Sequence, residues 1–406
     1  MKILVINCGS SSIKYQALDM TDESVMAIGL AERIGEPRGR LTHKKFPNRK
    51  EELEKIIESP IPDHTVGMNI IVDLLTDREV GVIEEASEIS AVGHRVVHGG
   101  ERFRAPALID DQVIQAIEET IPLAPLHNPA NLAGIKVAQK LISRAPQVAV
   151  FDTAFHQTMA PHVYLYSLPY EYYEELGIRR YGFHGTSHSY VAREAARLMG
   201  RPLEELNLMT IHLGSGASTC AIAKGKSVDT SMGMTPVAGI IMGTRSGNVD
   251  PGIIFYLAQQ KGMSIGELER ILTHESGLKG ICGLNDMRDI HARAAEGDQR
   301  AQLALDMFVY RIKKYIGNYF AVLGYLDGLV FTAGIGEHDV EIRRRCCENL
   351  QRLGIILDLE KNRARSEGPL KISTAESAVQ VFVIATNEEL EIARQTREAL
   401  AAEGLV

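Results

Sequence analysis

One short pattern occurs twice in this 406-residue chain and limits what it can fold into. Residues 3–17, ILVINCGSSSIKYQA, and residues 210–223, TIHLGSGASTCAIA, each read as strand, glycine-serine turn, strand. In the first copy Ile3, Leu4, Val5 and Ile6 form an unbroken apolar run, as in a strand buried on both faces. Asn7 to Ser12 then offer an amide, hydroxyls and a residue without Cβ, so the backbone can approach an anion, and Lys14 follows as a point charge. In the second copy Met209 to Leu213 is the strand, Gly214, Ser215, Gly216 and Ala217 form the turn, and Ser218 to Ala223 returns. Gly9 aligns with Gly214, and Asn7 with His212. One such turn reads as an ordinary hairpin loop. Two in the same setting predict a duplicated α/β core with an anion-binding turn in each half.

The length favours two domains over one core. With 45% hydrophobic and 24% charged residues the composition is that of a soluble globular protein. A net charge of -8, with basic residues clustered only at Arg179-Arg180 and Arg343 to Arg345, argues against a nucleic-acid partner. The five cysteines, Cys8, Cys220, Cys282, Cys346 and Cys347, show neither metal-ligand spacing nor a disulfide framework, so reduced thiols are expected. The N-terminal apolar run is too short for a signal-peptide core and no run reaches transmembrane length, so a cytoplasmic location without membrane attachment is expected.

Between the two copies, EELEKIIESP (51–60) and VGMNIIVDLL (66–75) show helical apolar spacing, Ile89 to Val97 and Val148 to Phe151 read as strands, and three prolines punctuate LAPLHNPAN. The pattern restarts near residue 150. Later come helices over Ser264 to Thr273 and Asp298 to Leu323, strands over Leu329 to Thr332 and Val379 to Ile384, and a terminal helix through Leu400. Residues 1–150 plus 390–406 are expected to form one domain and 151–389 the other, with no low-complexity linker dividing them.

Four glycine turns, at Gly9, Gly214 to Gly216, Gly243 to Gly247 and Gly334 to Gly336, fall at or near strand ends, where α/β folds bind ligands. None fits GxxxxGK[ST], which excludes a P-loop NTPase. The Gly334 turn is either a tight strand-to-helix connection or a close backbone approach to a nucleotide at a helix N-terminus. Arg95 and Arg245 sit among small residues and read either as structural ion pairs or as forks for a carboxylate and a phosphoryl group. Asp152 and Glu388 read as positioning and magnesium-binding carboxylates or as helix caps. His184 and His188 have metal-ligand spacing, but Gly185 replaces the glutamate that a zinc helix needs, so a hydrogen-bonding histidine is the better reading. His127 reads equally as a core or a site residue.

These segments, VINCGSSSIKYQ, GHRVVHGGE, LAPLHNPANL, VAVFDTAFHQT, RRYGFHGTSH, DTSMGMTP, MGTRSGN, VFTAGIGE and TNEEL, taken in this order, resemble the acetate and propionate kinase family of the actin, sugar-kinase and Hsp70 ATPase superfamily across essentially the whole chain. The resemblance implies two actin-like, ribonuclease H-like α/β domains with an active-site cleft between them. It implies a homodimer joined mainly through the second domain. The activity implied is reversible transfer of the ATP γ-phosphoryl group to acetate, with Mg²⁺ (or Mn²⁺), giving an acyl phosphate and ADP. By matching motif, Asn7, Ser10, Ser12 and Lys14 would face phosphates and metal, with Glu388 also toward the metal. Arg95 and Arg245 would hold carboxylate and transferring phosphoryl, with Asp152 nearby and His184 donating a hydrogen bond. His127, Val97, Leu126, Phe183 and Pro236 would line the acceptor site. His212, Gly214, Ser215, Gly216, Asp286, Arg288, Gly334, Gly336 and His338 would serve the nucleotide.

The chain departs from the family pattern at Ser215, where an asparagine is usual, at His338, where asparagine is frequent, and at Asn248, where aspartate is usual. Val97 lies two residues after Arg95, so in a strand it shares a face with that guanidinium, and its stiff branched side chain predicts preference for acetate over propionate. A propionate kinase is the near alternative. An ATP-hydrolysing binding machine is the distant one, and it has no use for two arginines and an apolar pocket.

Overall fold

The duplication is visible in the strand order. The computed structural model describes residues 1–406 other than Leu126, Arg365 and Glu367, and its chain divides into two units, Met1–Gln157 with Asn387–Val406, and Thr158–Thr386. In the first unit strands β1 (Lys2–Cys8), β2 (Ser12–Asp19), β3 (Ser24–Glu32), β4 (Gly39–Lys45), β5 (Leu53–Ser59), β6 (Ala91–Val96), β7 (Ala107–Leu108) and β8 (Gln147–Phe151) form one sheet in the order β5-β4-β3-β2-β1-β6-β8-β7. In the second, β9 (Asn207–Leu213), β10 (Ala217–Ala223), β11 (Lys226–Thr230), β12 (Gly328–Thr332), β13 (Leu370–Lys371) and β14 (Gln380–Val383) run β11-β10-β9-β12-β14-β13. Both sheets contain the order third, second, first, fourth, fifth, with the first three strands antiparallel and the last two parallel to the first. This is the ribonuclease H-like plan, and the fold class is α/β as the sequence predicts.

Central strands β1, β8, β9 and β12 are apolar because helices cover both faces of each mixed sheet at its centre. Leu4, Val5, Leu208, Ile211, Val330 and Phe331 are fully buried. In the first unit α1 (His64–Leu75) packs on one face of the sheet, with Ile71 and Met68 joining Leu4, Ile6 and Ile13 in one core. Helix α2 (Asn128–Leu141) contributes Ile135 and Leu132 to a neighbouring core with Val96, Ala149 and Phe151. The C-terminal helix (Glu388–Ala402) returns to this same unit and lies directly against β6. A Cβ on Gly93 would fall 2.4 Å from Thr396 Oγ1 and 2.9 Å from Ile392 Cγ2, so only glycine lets the helix approach this closely. Two arginines secure it, Arg394 binding the Glu23 carboxylate and Arg397 donating to the Met20 carbonyl.

One expectation fails. EELEKIIESP is not helical, since Leu53–Ser59 is the edge strand β5, paired antiparallel to β4 from Leu53↔Lys45 to Ser59↔Gly39. Leu53, Ile56 and Ile57 satisfy a spacing of three and four over a segment too short to separate that period from alternation. Pairing decides the matter: Lys55, Ile57 and Ser59 are half-buried while Glu54, Ile56 and Glu58 are exposed, and Lys55 reaches Asp77 at 2.8 Å. VGMNIIVDLL does form a helix, within α1, capped by Asp63.

Candidate active site

In both sheets the first hairpin closes with a three-residue turn at the strand ends. Gly9, Ser10 and Ser11 separate β1 from β2, and Gly214, Ser215 and Gly216 separate β9 from β10. The first glycine of each donates its N–H to a carbonyl across the turn, Gly9 to Ser12 at 2.8 Å and Gly214 to Gly216 at 3.0 Å. The turns are alike in composition and position, but the second bond spans one residue fewer, so the Gly214 turn is the tighter.

In the first unit the parallel pairing of β1 with β6 places Asn7 beside Arg95. The Arg95 guanidinium donates to Asp152 through Nε (3.1 Å to Oδ1) and Nη2 (2.6 Å to Oδ2), and through Nη1 to Asn7 Oδ1 at 3.4 Å. Glu388 Oε2 lies 3.9 Å from Arg95 Nε. Burial pulls this guanidinium down, but Asp152 and Glu388 outweigh it and hold the group above its ordinary value. Burial is also the main influence on Glu388, pushing its carboxyl up against the pull of Arg95. Glu388 is not the cap of its helix. Asn387 caps the C-terminal helix by accepting from the Leu390 N–H at 3.0 Å, and Asp152 lies just past β8 with its own N–H on the Val96 carbonyl. Lys14 ion-pairs with Glu389 at 2.5 Å on that helix. Ser10 is exposed and Ser12 half-buried. Val97, the first residue past β6, is buried, its N–H held by the Asn131 amide, which also donates to the Cys8 carbonyl. That asparagine fixes the β1 and β6 ends relative to each other. His127 is half-buried just before α2, and Leu126 lies outside the described residues.

The second unit arranges histidines and hydroxyls around its own turn. His184 adopts a left-handed conformation (φ 58°) at the start of α3 (Gly185–Met199), a strained position for a residue with a side chain. Its Nδ1 meets Ser218 Oγ at 2.8 Å and its ring stacks on His212 with centroids 4.3 Å apart. His188 uses both ring nitrogens on hydroxyls, Nε2 on Ser218 and Nδ1 on Thr210, and His212 Nδ1 meets Ser187 Oγ. Such hydroxyl partners fix ring orientation, and among the described residues no group of three or more His, Cys, Asp or Glu could hold a metal ion. Gly216 lies between His184 and Arg245: a Cβ there would be 3.3 Å from His184 Nε2 and 3.6 Å from Arg245 Nη1.

Arg245 contrasts with Arg95. Its Nη1 donates to the Pro236 carbonyl at 3.0 Å and touches Met242 sulfur, no carboxylate among the described residues pairs with it, and burial pulls it below its ordinary value. The loop carrying it is laced to residues 272–278 by the Ser246, Ser276 and Leu278 N–H groups. A Cβ on Gly277 (φ +63°) would lie 2.2 Å from the Met242 carbonyl, so only glycine fits. Asn248 clasps the loop base, accepting from the Gly239 N–H (2.8 Å) and donating to Tyr315 Oη (3.0 Å). Phe183 is buried next to His184.

A cavity of about 670 Å³ opens beside the same turn, within the size range of small-molecule sites. One wall is Asn285 to Arg288, leading into α5 (Met287–Ala295), once α4 (Gly252–Lys261) has passed; the other is α7 (Ala333–His338) with the start of α8 (Val340–Cys347). Between them α6 (Gln299–Leu323) supplies Phe308. Asp286 accepts from both sides of the Arg288 fork at 3.0 and 2.6 Å, which holds its carboxyl down at about 2, and the Arg288 side chain is 90% exposed. Gly334 faces open space and Ala333 before it is left-handed (φ 62°).

The structure therefore brings together Arg95, Asp152, Asn7 and Glu388 in one unit, and His184, His212, Gly216, Arg245 and Pro236 in the other. Gly214, Ser215, Asp286, Arg288, Gly334 and His338 line the cavity. Gly336 does not; it packs on the Phe331 backbone. Sequence reasoning passes over Ser218, Asn131, Glu389, His291 and Asp339. Only Ser218 left a trace, as the residue facing His212 across a hairpin.

Comparison with known proteins gives a consistent result. The profile of the acetokinase family matches residues 2–394. An acetate kinase of Oleidesulfovibrio alaskensis is 54% identical over 394 residues, 97% of this chain and 98% of that protein. The crystal structure of Porphyromonas gingivalis acetate kinase superposes with TM-score 0.93 at 44% identity, covering 98% of this chain and 99% of that one. A propionate kinase from Francisella tularensis gives 0.89 at 41% identity, with the same coverage.

Proposed function

The chain belongs to the acetokinase family, and from that premise we propose that it transfers the γ-phosphoryl group of ATP reversibly to acetate, forming acetyl phosphate and ADP. The observation that carries this reading is the pairing of two arginines in different electrostatic states. Arg95 is neutralised and oriented by Asp152; Arg245 is half-buried with no carboxylate partner among the described residues. A phosphoryl acceptor that is already a carboxylate needs no general base, so the protein has to position two anions and offset their charge. In this reading Arg95 binds the acceptor, and Arg245 with His184 donates to the phosphoryl oxygens, His184 from its Nε2 while Nδ1 is held by Ser218. We assign Val97 and His127 of the first unit, and Phe183 and Pro236 of the second, to recognition of the acceptor; Leu126 lies outside the described residues. Asn7, Ser10, Ser12 and Lys14 serve the phosphates from the first unit, and His212, the Gly214 turn and the cavity residues serve the nucleotide from the second.

Asn7 and Glu388 offer amide and carboxylate oxygens, a donor set that suits Mg²⁺ or Mn²⁺. A cation on them would reverse the cost of burying Glu388. Bound there, it would neutralise phosphate charge during transfer.

Acyl phosphate trapped with hydroxylamine tests the reading. With ATP, acetate should give faster trapping than propionate, and pyrophosphate should not replace ATP. One methylene is worth about 1–3 kcal/mol at most, so Val97→Ala should raise the propionate-to-acetate ratio of kcat/KM by about tenfold or somewhat more. Wild type preferring propionate, or an unchanged ratio, would place the pocket wall elsewhere.

We also propose a homodimer formed through the second unit, in a cytoplasmic setting where the free cysteines stay reduced. Helix α4 is apolar from Ile253 to Ala258 and buries none of its residues; Phe255 and Tyr256 are 67% and 64% exposed, with Ile253, Val249 and Ile265 also exposed. An apolar surface of this kind marks an interaction face. Among the described residues no helix is long and apolar enough to cross a membrane. Sedimentation should give twice the chain mass, and Phe255→Asp should shift it toward the monomer; a wild-type monomer at micromolar concentration would remove the proposal.

A further inference from the structure

Helix α5 carries one wall of the cavity, and one turn into it His291 points across to the other wall. We propose that His291, through Asp339, is a positioning residue that sets the affinity of this cavity for a nucleoside diphosphate; the inference rests on reading the cavity as the nucleotide site. Both residues line the cavity. His291 Nε2 meets Asp339 Oδ2 at 2.8 Å, while the other oxygen, Oδ1, accepts from the Ile342 N–H at 2.9 Å and so caps α8. One carboxylate thus fixes the start of α8 and ties it to α5, joining the wall of Asp286 and Arg288 to the wall of Gly334, Ile335 and His338.

The surrounding charges leave this contact to the histidine. On α8, Glu341 is bound by Arg344, Arg345 pairs with Asp306 of α6 at 2.5 Å, and the buried Arg343, which feels the Asp339 charge, spends its fork on Asn362 and the Gly336 and Glu337 carbonyls. On the α5 side Arg288 is held by Asp286, and Arg293 by Asp298 at the start of α6. His338 is exposed at the cavity edge. Asp339 is the strongest influence on His291 and holds its imidazole above the ordinary value, with Glu341 acting in the same sense and burial and Arg345 against it.

Protonated, His291 makes a charge-assisted bond to Asp339, roughly twice as strong as the neutral one. The sign follows. The imidazole's folded value is raised, so the strong clasp is complete below about pH 6.5, its ordinary value, and is lost as pH rises through the higher folded value. Nucleotide affinity should fall with it.

The experiment is calorimetric titration of the full chain with ADP from about pH 6 to about pH 9, for wild type, His291→Gln and Asp339→Asn. Titration of ADP's own phosphate affects all three proteins alike and cancels in affinity ratios. The ratio of wild type to His291→Gln should be about five- to tenfold near pH 6 and approach one near pH 9. Asp339→Asn keeps an oxygen to cap α8 while losing the charge, and should give the same pH-dependent ratio. A ratio that is the same at every pH, whatever its size, would mean that His291 merely fills space and would overturn the inference. Wild type that binds no ADP at any pH would instead overturn the nucleotide reading beneath it.

Discussion

Arg245→Ala should lower acyl phosphate formation about a hundred- to a thousandfold, the usual cost of removing one donor aimed at developing charge, roughly 3–4 kcal/mol. The fold should survive, because the side chain's contacts are one carbonyl and one thioether and no ion pair is broken. A half-buried cation without a carboxylate is costly, and a protein that retains one gains by having the missing anion arrive with the substrate. Arg245→Lys restores charge without the planar fork and should recover only part of the loss. Turnover and the melting temperature of the same preparations decide the matter: near-normal turnover in the alanine variant would make Arg245 a structural residue.

Asp152→Ala should act on stability and turnover together. Its carboxylate is 2% exposed and bound at both oxygens by Arg95. Removing one partner of a buried pair costs about 3–5 kcal/mol. Arg95 is 21% exposed and keeps Glu388 nearby, so the lower end applies, about 3 kcal/mol. In a unit of this size that lowers the melting temperature by roughly 6–12 °C. Turnover should fall as well if Arg95 holds the acceptor as proposed, because the guanidinium then loses the bidentate partner that fixes its plane. Asp152→Asn, keeping one acceptor oxygen, should lie between wild type and alanine in both measurements. An alanine variant that melts like wild type would show that the pair contributes nothing to the fold.

These contrasts also show what the sequence could and could not convey. The paired turns were legible because strand, glycine and hydroxyl occur within a dozen residues, and local chemistry dictates local geometry there. The choice between ion pair and anion-binding fork was not, since Arg95 and Asp152 are 57 residues apart and nothing near Arg245 distinguishes it from Arg95. The same holds for His291 and Asp339, 48 residues apart, which meet only because two helices flank one cavity. Strand β5 was misread for a different reason. Its few apolar residues satisfy two periods, and the neighbour that settles the choice, β4, is itself a charged and half-exposed strand. Glu388 was ambiguous in sequence because the first turn of a helix attracts both caps and ligands; the Asn387 side chain takes the capping role and leaves the glutamate available.

The return of the last helix to β6 sets an order of events during synthesis. All of the second unit, Thr158–Thr386, leaves the ribosome before Ile392 and Thr396, the side chains that cover Gly93. The second unit can therefore close its sheet while the first still exposes one face of its own, and Glu388 joins the Arg95–Asp152 pair only after all of Thr158–Thr386 has been made. A nascent chain that stops before Glu388 is then a folded half carrying an unfinished one, without the carboxylate that lies beside Arg95.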